Sequence, residues 1–207
     1  MDTPIGERLP DDILAMRTRL PLQMAPVTLT GSLVELVPLD LTRDVDALFA
    51  VSNGRPAQVG DRSVGAYDPD ELIWRYMYSG PFQDADALRA YLRPLVESAN
   101  GLCLCVFDRP TGRQVGVTNF LNNSPEHLRM LCHAFGLGYR RVEWKCNARN
   151  RRSWRAAEKM GFTFEGVLEA YVIAKGCNRD SAWFRVLDRE WPDVKAHLEG
   201  LLRSSAC

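Results

Sequence analysis

The segment 102–121, LCLCVFDRPTGRQVGVTNFL, places the strongest constraint on the fold of this chain. Two apolar runs flank the hexapeptide DRPTGR, whose proline and glycine favour a tight chain reversal. A second pair of apolar runs, FEGVLEAYVIAK and SAWFRVLDREW, flanks the predicted turn GCNRD. Because strands joined by a short turn run in opposite directions, the two predicted hairpins require antiparallel pairing.

Helical periodicity precedes the first hairpin and also ends the chain. Residues 84–97 place apolar side chains on one side of a predicted helix, and residues 191–202 form a predicted C-terminal helix. Residues 54–70 are rich in glycine, proline and aspartate, which predicts a loop. Strands and helices therefore mix without strict βαβ alternation. We predict an α+β fold, in which helices flank a mixed, mostly antiparallel sheet.

The composition indicates one domain with no strongly charged partner. Basic and acidic residues number 26 each, so no overall field attracts nucleic acid or an anionic membrane surface. Residues 1–26 contain four prolines and are predicted to form an N-terminal arm, which leaves one domain over residues 27–207. No apolar run has the length of a membrane span, and the first residues are too polar for a signal peptide. We therefore expect a cytoplasmic protein.

The cysteines and histidines show no metal-ligand pattern. None of the six cysteines forms a CxxC pair, and the three histidines are scattered along the chain. We expect reduced thiols and no metal site.

Residues 142–162, VEWKCNARNRRSWRAAEKMGF, predict a strand, a turn and a short helix. Asn150 is the predicted helix N-cap, and Gly161 is the predicted left-handed residue that ends the helix. The helix start is crowded by four arginines: Arg149, Arg151, Arg152 and Arg155. Because the helix dipole is already positive there, a bound anion would explain the cluster. The alternative is an ordinary capped amphipathic helix with a solvated basic face.

The pattern N-x-x-S-x-x-x-x-x-x-G-F, directly after a strand, resembles the acetyl-CoA-facing half of the GNAT (Gcn5-related) N-acetyltransferases. Four segments in the family's order extend the likeness, and they are similar to the branch of ribosomal-protein alanine acetyltransferases. They are WRYMYSGPF, GYRRVEWKCNARN, RAAEKMGFTFEGV and KGCNRDSAWFRVLDREWP. Together they cover most of residues 27–193. The resemblance implies a GNAT-like acyl-CoA N-acyltransferase fold.

The resemblance also implies a reaction and its residues. Acetyl-CoA would be the co-substrate, and its acetyl group would pass directly to a primary amine of a protein N-terminus or a small molecule. Asn150 matches the family position that binds the pantetheine arm, and Ser153 matches one near the cofactor sulfur. Arg151 and Arg155 are assigned to the CoA phosphates. Many members carry a tyrosine as general acid where this chain has Ala157, so Ser153 is the predicted proton donor, with a water molecule as competitor.

One family segment is missing from the sequence. GNAT enzymes bind the CoA pyrophosphate with a Q/R-x-x-G-x-G/A turn between a strand and a helix. Here QVGVTNFL is followed directly by NNSPEHLRMLCHAF, where Pro125 has no N–H to donate and Glu126 places a carboxylate at the helix start. We therefore predict an internally truncated domain, through evolutionary loss or through a shortened gene model or splice form. Either Val115–Leu121 replaces the missing strand, or the cofactor cleft has one wall.

Three functions follow as alternatives. The first is an N-acetyltransferase whose activity is impaired by the missing segment, and the second is a non-catalytic GNAT-like binding or scaffolding domain. The third, nucleic-acid binding through the arginines, is disfavoured by the zero net charge. The sequence assigns neither the acceptor nor the oligomeric state. It also leaves the general base open among Glu35, Glu143 and Glu169.

Period-two spacing predicts which side chains share a face of the strand before the helix that Asn150 caps. The sequence after that helix predicts further core residues. Trp144 and Cys146 should share a face with Val142, and Glu143 and Lys145 should lie on the other. Phe162 and Phe164, together with Val167, are predicted to be core residues.

Overall fold

The computed structural model describes residues 9–16, 25–121 and 132–204. Within these ranges the strands are β1 Leu29–Thr30, β2 Val34–Pro38, β3 Ala57–Val59, β4 Arg62–Val64, β5 Leu102–Asp108, β6 Arg113–Phe120, β7 Arg141–Asn147, β8 Thr163–Ala174 and β9 Cys177–Leu187. The helices are α1 Asp11–Met16, α2 Val45–Ala50, α3 Ala85–Val96, α4 Cys132–Gly136, α5 Arg151–Lys159 and α6 Trp191–Ser204, with a π-helical turn at Asp70–Trp74. No helix in the described ranges is long and apolar enough to span a membrane. The predicted α+β class is confirmed.

The strands form two antiparallel sheets and one small separate hairpin. The first sheet has the order β1-β2-β5-β6 and the second has the order β7-β9-β8. The hairpin predicted over residues 102–121 is confirmed as β5–β6, in which Leu102 pairs with Phe120. The prediction of a loop over residues 54–70 is wrong in part, because β3 and β4 pair with each other inside it.

The β8–β9 hairpin has a shorter turn than the predicted GCNRD. Ala174 pairs with Cys177, so the turn consists of Lys175 and Gly176 alone. Their φ angles of 51° and 73° are those that a two-residue type I′ turn requires, and glycine adopts such an angle without strain. As a consequence, the residues after the turn extend β9 and place Arg179 within the sheet.

The first core cluster is built by β5, β7, β9 and α5. Its buried members are Leu102, Leu104, Ala134, Tyr139, Val142, Cys146, Ala157, Phe162, Ala182, Phe184 and Val186. Trp144 packs against the same cluster as Val142 and Cys146, which confirms the predicted face of β7. Lys145 points elsewhere, since its amine lies 5.0 Å from the Tyr171 ring centroid.

The predicted core after α5 is only partly correct. Phe162 is buried, but Phe164 and Val167 are 44% and 40% exposed. Both lie on β8, which is one of the two edge strands of its sheet, so no strand within the described ranges pairs with its outer side. The Phe164 ring keeps one covered side, where its centroid lies 5.4 Å from that of Phe184.

The outer edges of β6 and β7 are both unpaired within the described ranges. β6 pairs with β5 alone and β7 pairs with β9 alone, so the two sheets do not join through β6 and β7. β6 therefore forms no hydrogen-bonded pair with β7 in the described part of the chain. The segment 122–131, with Pro125 and Glu126, lies outside the described residues.

The second core cluster lies between the first sheet and helices α2 and α3. Its buried members are Leu39, Val45, Leu48, Trp74, Leu88, Leu92, Cys103 and Cys105. Burial raises the pKa of the Cys103 and Cys105 thiols to about 12, so both remain protonated and unreactive at neutral pH.

A fully buried carboxylate connects α2 to β6. Asp44 accepts hydrogen bonds at 2.7 Å from both Nε and Nη2 of Arg43, at 2.9 Å from the Asp40 backbone N–H, and at 3.1 Å from Gln114 Nε2. Burial by itself raises the pKa of Asp44, but these hydrogen bonds to its ionised form outweigh that effect. The net pKa of Asp44 is therefore lowered from its ordinary value.

We expect Asp44 to make the free energy of unfolding depend on pH in the acid range. Its folded pKa is lowered, so its contribution is complete above the unfolded pKa of about 3.9 and is lost as the pH falls through the folded pKa. Urea unfolding from about pH 7 to about pH 2 measures this slope. Asp44→Asn should remove part of the slope, whereas Asp46→Asn, whose side chain is 77% exposed on the same helix, should keep it. Identical slopes for the parent and Asp44→Asn would contradict the assignment.

Candidate functional site

The start of α5 is fixed by a side-chain cap. Asn150 Oδ1 accepts a hydrogen bond from the Ser153 backbone N–H at 3.1 Å, as the sequence predicts. At the other end, Gly161 has a φ of 85°, and an added Cβ there would lie 3.3 Å from a methyl of Val194. The helix therefore begins and ends where the sequence places it, and Ser153 lies in its first turn.

The Ser153 hydroxyl is held by the neighbouring strand. Its Oγ accepts a hydrogen bond from Trp144 Nε1 at 3.0 Å, so its own proton can be donated to the Cys146 sulfur or to a ligand. Burial raises the pKa of the nearby Cys146 thiol, although a hydrogen bond with Ser153 acts in the opposite direction. Cys146 is therefore a protonated thiol at neutral pH, and Ser153 is the hydroxyl of α5 that can supply a proton to a ligand.

Asn150 and Ser153 line a cavity of about 410 Å³ between α5 and the π-helical turn. Three arginines of the predicted cluster line it as well: Arg149, Arg151 and Arg152. Arg152 Nη1 donates a hydrogen bond to the Leu72 carbonyl at 3.3 Å, so it connects the two walls. The cavity thus combines amide, hydroxyl and guanidinium donors, which suits a ligand with carbonyl and anionic oxygens.

The two arginines assigned to the CoA phosphates lie in different places. Arg151 lines the cavity, and its guanidinium carbon is 5.8 Å from the Trp154 ring centroid. Arg155 is exposed one turn further along α5 and does not line the cavity. The structure therefore brings Asn150, Ser153 and Arg151 together and places Arg155 apart from them.

The structure adds two candidate residues that the sequence did not indicate. Tyr76 and Glu71 line the cavity from the side opposite α5. Ala157, at the position of the family tyrosine, is fully buried in the core. Besides Ser153, Tyr76 is thus a second residue with a hydroxyl group in the lining of this cavity. Glu71 is the acidic residue in the lining. Both are remote from α5 in sequence, so only the tertiary structure reveals them.

The three carboxylates considered as general bases lie outside this cavity. Glu143 Oε1 is 2.7 Å from Arg141 Nε, which occupies that oxygen in an ion pair. Glu35 accepts a hydrogen bond from Thr30 Oγ1 at 2.9 Å on the first sheet. Glu169 is exposed on β8. None of them is placed to take a proton from an amine beside Ser153.

The chain resembles several solved acetyltransferase structures, although no protein-family model and no curated protein matches it. A GCN5-related N-acetyltransferase from Brucella melitensis superposes with a TM-score of 0.67 and 26% identity over 86% of each chain. A GNAT-family acetyltransferase from Chromobacterium violaceum ATCC 12472 gives a TM-score of 0.65 and 27% identity over 92% of this chain and 100% of that chain.

Two more distant structures share the fold alone. One is a spermidine N-acetyltransferase from Vibrio cholerae in complex with CoA and spermine, with 14% identity and a TM-score of 0.55 over 78% of this chain and 99% of that chain. The other is a Salmonella typhimurium acetyltransferase that modifies the N-terminal serine of ribosomal protein L7/L12. It shows 14% identity and a TM-score of 0.54 over 76% of this chain and 96% of that chain. The fold of this chain is therefore the GNAT fold, and the chain is an enzyme of the GNAT N-acetyltransferase type.

Proposed function

We propose that the chain transfers an acetyl group from acetyl-CoA to a primary amine in the cavity between α5 and the π-helical turn. The observation that carries this proposal is that Asn150 and Ser153 line one cavity with Arg151. These are the positions that the GNAT resemblance assigns to the pantetheine arm, the thioester sulfur and a phosphate. The spermidine acetyltransferase in complex with CoA shares the fold and supports acetyl-CoA as the co-substrate.

Asn150 would bind the pantetheine arm through its amide NH₂ group. Its Oδ1 is occupied by the cap of α5, so the NH₂ group remains to donate to an amide carbonyl of the arm. The helix cap therefore also fixes the orientation of the donor. This double use requires asparagine, because serine or aspartate caps a helix without offering the same donor.

Ser153 would donate its proton to the departing thiolate and would take up a proton from solvent water in exchange. In direct transfer the amine nitrogen bonds to the thioester carbon, the C–S bond breaks, and the sulfur takes a proton while the amine loses one. The Trp144 N–H fixes Ser153 Oγ as an acceptor and leaves its O–H to donate towards the sulfur. Glu71 is the carboxylate that lines the cavity and is our candidate for the base.

Loss of the pyrophosphate turn, as the sequence predicts, would weaken this activity. The turn supplies convergent backbone N–H donors, and the remaining arginines of the cavity are exposed side chains that contribute about 0–1 kcal/mol each. The unpaired edges of β6 and β7 support an impaired cofactor site, since a strand between them would form the second wall. The same open edges favour a second candidate function, a non-catalytic GNAT-like binding or scaffolding domain.

The acceptor would be a protein N-terminus or a small amine. The two distant relatives illustrate both classes, since one is a spermidine acetyltransferase and the other modifies an N-terminal serine. The resemblance to the ribosomal-protein branch favours the protein N-terminus. We further propose that the protein acts in the cytoplasm, as its sequence suggests.

Incubation with acetyl-CoA and a panel of peptides and small amines tests the proposal. We expect slow N-acetylation, detected by mass spectrometry, that exceeds the reaction without protein and falls at least about tenfold in Ser153→Ala. Arg155→Gln, on the same helix but outside the cavity, is the matched control and should retain parent activity. Measurable acetyl-CoA binding without acetylation of any amine would instead support the non-catalytic domain.

Two substitutions of Asn150 separate its capping role from its binding role. Asn150→Ala should lower the free energy of unfolding by about 0.5–2 kcal/mol, because it removes the cap, and should also weaken acetyl-CoA binding. Asn150→Ser should keep stability near that of the parent and still weaken acetyl-CoA binding by about 2–10-fold, because one donor is lost. Urea unfolding and calorimetric titration measure the two effects. Parent-like affinity in Asn150→Ser would leave Asn150 with the capping role alone.

A further inference from the structure

A second cavity adjoins the proposed acetyl-CoA site. Its volume is about 350 Å³, and it shares Arg75, Tyr76 and Arg149 with the first cavity. Its other side is formed by the β8–β9 turn and the start of β9, including Lys175 and Arg179. A ligand that spans both cavities could therefore reach from Ser153 to the start of β9.

Arg179 is a buried cation in the wall of this cavity. It is 7% exposed, and its guanidinium carbon lies 4.4 Å from the Tyr78 ring centroid. Its Nη1 donates to Tyr78 Oη at 3.2 Å and to Ser181 Oγ at 2.9 Å, which are both neutral groups. Its buried Nε has no hydrogen-bond partner, and Arg179 forms no ion pair within the described ranges. A buried guanidinium without a carboxylate is costly unless a further anion joins it.

The surrounding charges leave the cavity positive. Four of its lining residues are basic: Arg75, Arg149, Lys175 and Arg179. Asp180 is the acidic residue in the lining, and its Oδ1 already accepts the Ala170 backbone N–H at 2.8 Å. Asp70 lies 2.9 Å from Lys175 Nζ and 3.8 Å from Arg75 Nε, so it partly neutralises those two cations. Arg149 and Arg179 remain without a carboxylate partner in the described part of the chain.

We propose that this second cavity binds an oxyanion, a carboxylate or a phosphate group, with Arg179 as its buried anchor. The guanidinium of Arg179 in the cavity wall and the exposed guanidinium of neighbouring Arg149 can together hold two oxygens of such a group. Tyr78 covers one face of the guanidinium and keeps it in place while the site is empty. The site itself is independent of acetyl transfer. Only the source of the anion, a CoA phosphate or a carboxylate of the amine acceptor, rests on the proposed function.

Inorganic phosphate is the probe for the site. We expect the Tm of the parent to rise by about 3–6 °C at a phosphate concentration about tenfold above its Kd, relative to sodium chloride of equal ionic strength. Arg179→Met should lose most of this increase, because it keeps the aliphatic packing without the charge. Arg62→Met, on β4 and outside the cavity, removes the same charge and should respond like the parent. This control accounts for the general stabilisation that phosphate gives to folded proteins.

A second consequence separates an anion site from a structural role of Arg179. Without phosphate, Arg179→Met should melt at the parent temperature or above it, because replacing a buried charge with an apolar side chain is often neutral or stabilising. If Arg179→Met does not fold, Arg149→Gln, an exposed residue of the same cavity, should reduce the phosphate response instead. The proposal would be overturned if phosphate raised the Tm of the parent, Arg149→Gln and Arg62→Met equally. It would also be overturned if phosphate raised the Tm of the parent no more than that of Arg179→Met.

Two titrations identify the source of the anion. If the oxyanion belongs to CoA, CoA should stabilise the parent more than 3′-dephospho-CoA or should abolish the phosphate response. If it belongs to the acceptor, alanylglycine should reduce the phosphate response in the presence of CoA, whereas alanylglycinamide, which lacks the carboxylate, should not. Both readouts measure binding, so they remain informative if the chain transfers no acetyl group.

Discussion

Insertion of a strand and a Q-x-x-G-x-A turn after Leu121 is expected to raise the affinity for acetyl-CoA by about 10²–10⁴-fold. Backbone N–H groups at a helix start point at a bound pyrophosphate, and the helix dipole favours its charge. Each hydrogen bond to a charged group contributes about 1.5–3 kcal/mol, so two such bonds account for this range. The inserted strand would also pair with the open edge of β7 and supply the second wall of the pantetheine cleft. Calorimetric titration of the parent and the insertion variant with acetyl-CoA measures the change.

The matched control carries an insertion of equal length whose turn has proline and glutamate in place of the glycine and alanine. It restores the strand but offers fewer N–H donors and a repelling carboxylate, so we expect most of the gain to disappear. A parent chain that already binds acetyl-CoA as tightly as the insertion variant would show that another backbone segment binds the pyrophosphate.

Phe184→Ala is expected to lower the free energy of unfolding by about 3–5 kcal/mol. Phe184 is fully buried on the central strand of the second sheet, and removal of its ring leaves a cavity that the surrounding β-strands cannot close. The ring also contacts Trp154 and Phe164, at centroid distances of 5.1 Å and 5.4 Å. Urea unfolding measures the loss.

Phe164→Ala is the matched control for Phe184→Ala. It removes the same ring from a position that is 44% exposed, so its effect should be less than half as large. Equal losses in the two variants would mean that the β8 edge is covered by a surface absent from the described ranges. A parent-like Phe184→Ala would mean that the core of the second sheet is wrongly placed.

The parts of the fold that could be predicted are those with local causes. The β5–β6 hairpin follows from two apolar runs around a proline–glycine turn, and α5 follows from Asn150 at its start and Gly161 at its end. The exposure of Phe164 could not be predicted, because its neighbours depend on which strand lies at the edge of the sheet. Period-two spacing predicts which residues share a face but does not predict whether that face is covered.

The same distinction applies to the candidate site. Asn150 and Ser153 could be placed together because one helical turn joins them. Tyr76 and Glu71 were missed, because they reach the cavity from the π-helical turn and the residues just after it, far from α5 in the sequence. Arg179 was missed for a further reason: the predicted turn GCNRD placed it in a loop, whereas the two-residue turn places it in β9.

We expect acetyl-CoA to bind at the start of α5, and the side-chain amide of Asn150 reports on this binding directly. In ¹H–¹⁵N spectra of the labelled chain, the Asn150 NH₂ resonances can be assigned by their loss in Asn150→Ser. We predict that acetyl-CoA shifts them in a saturable manner, while the NH₂ resonances of Asn100, between α3 and β5, stay in place. Unmoved Asn150 resonances at millimolar acetyl-CoA, or equal shifts at Asn100, would contradict the account.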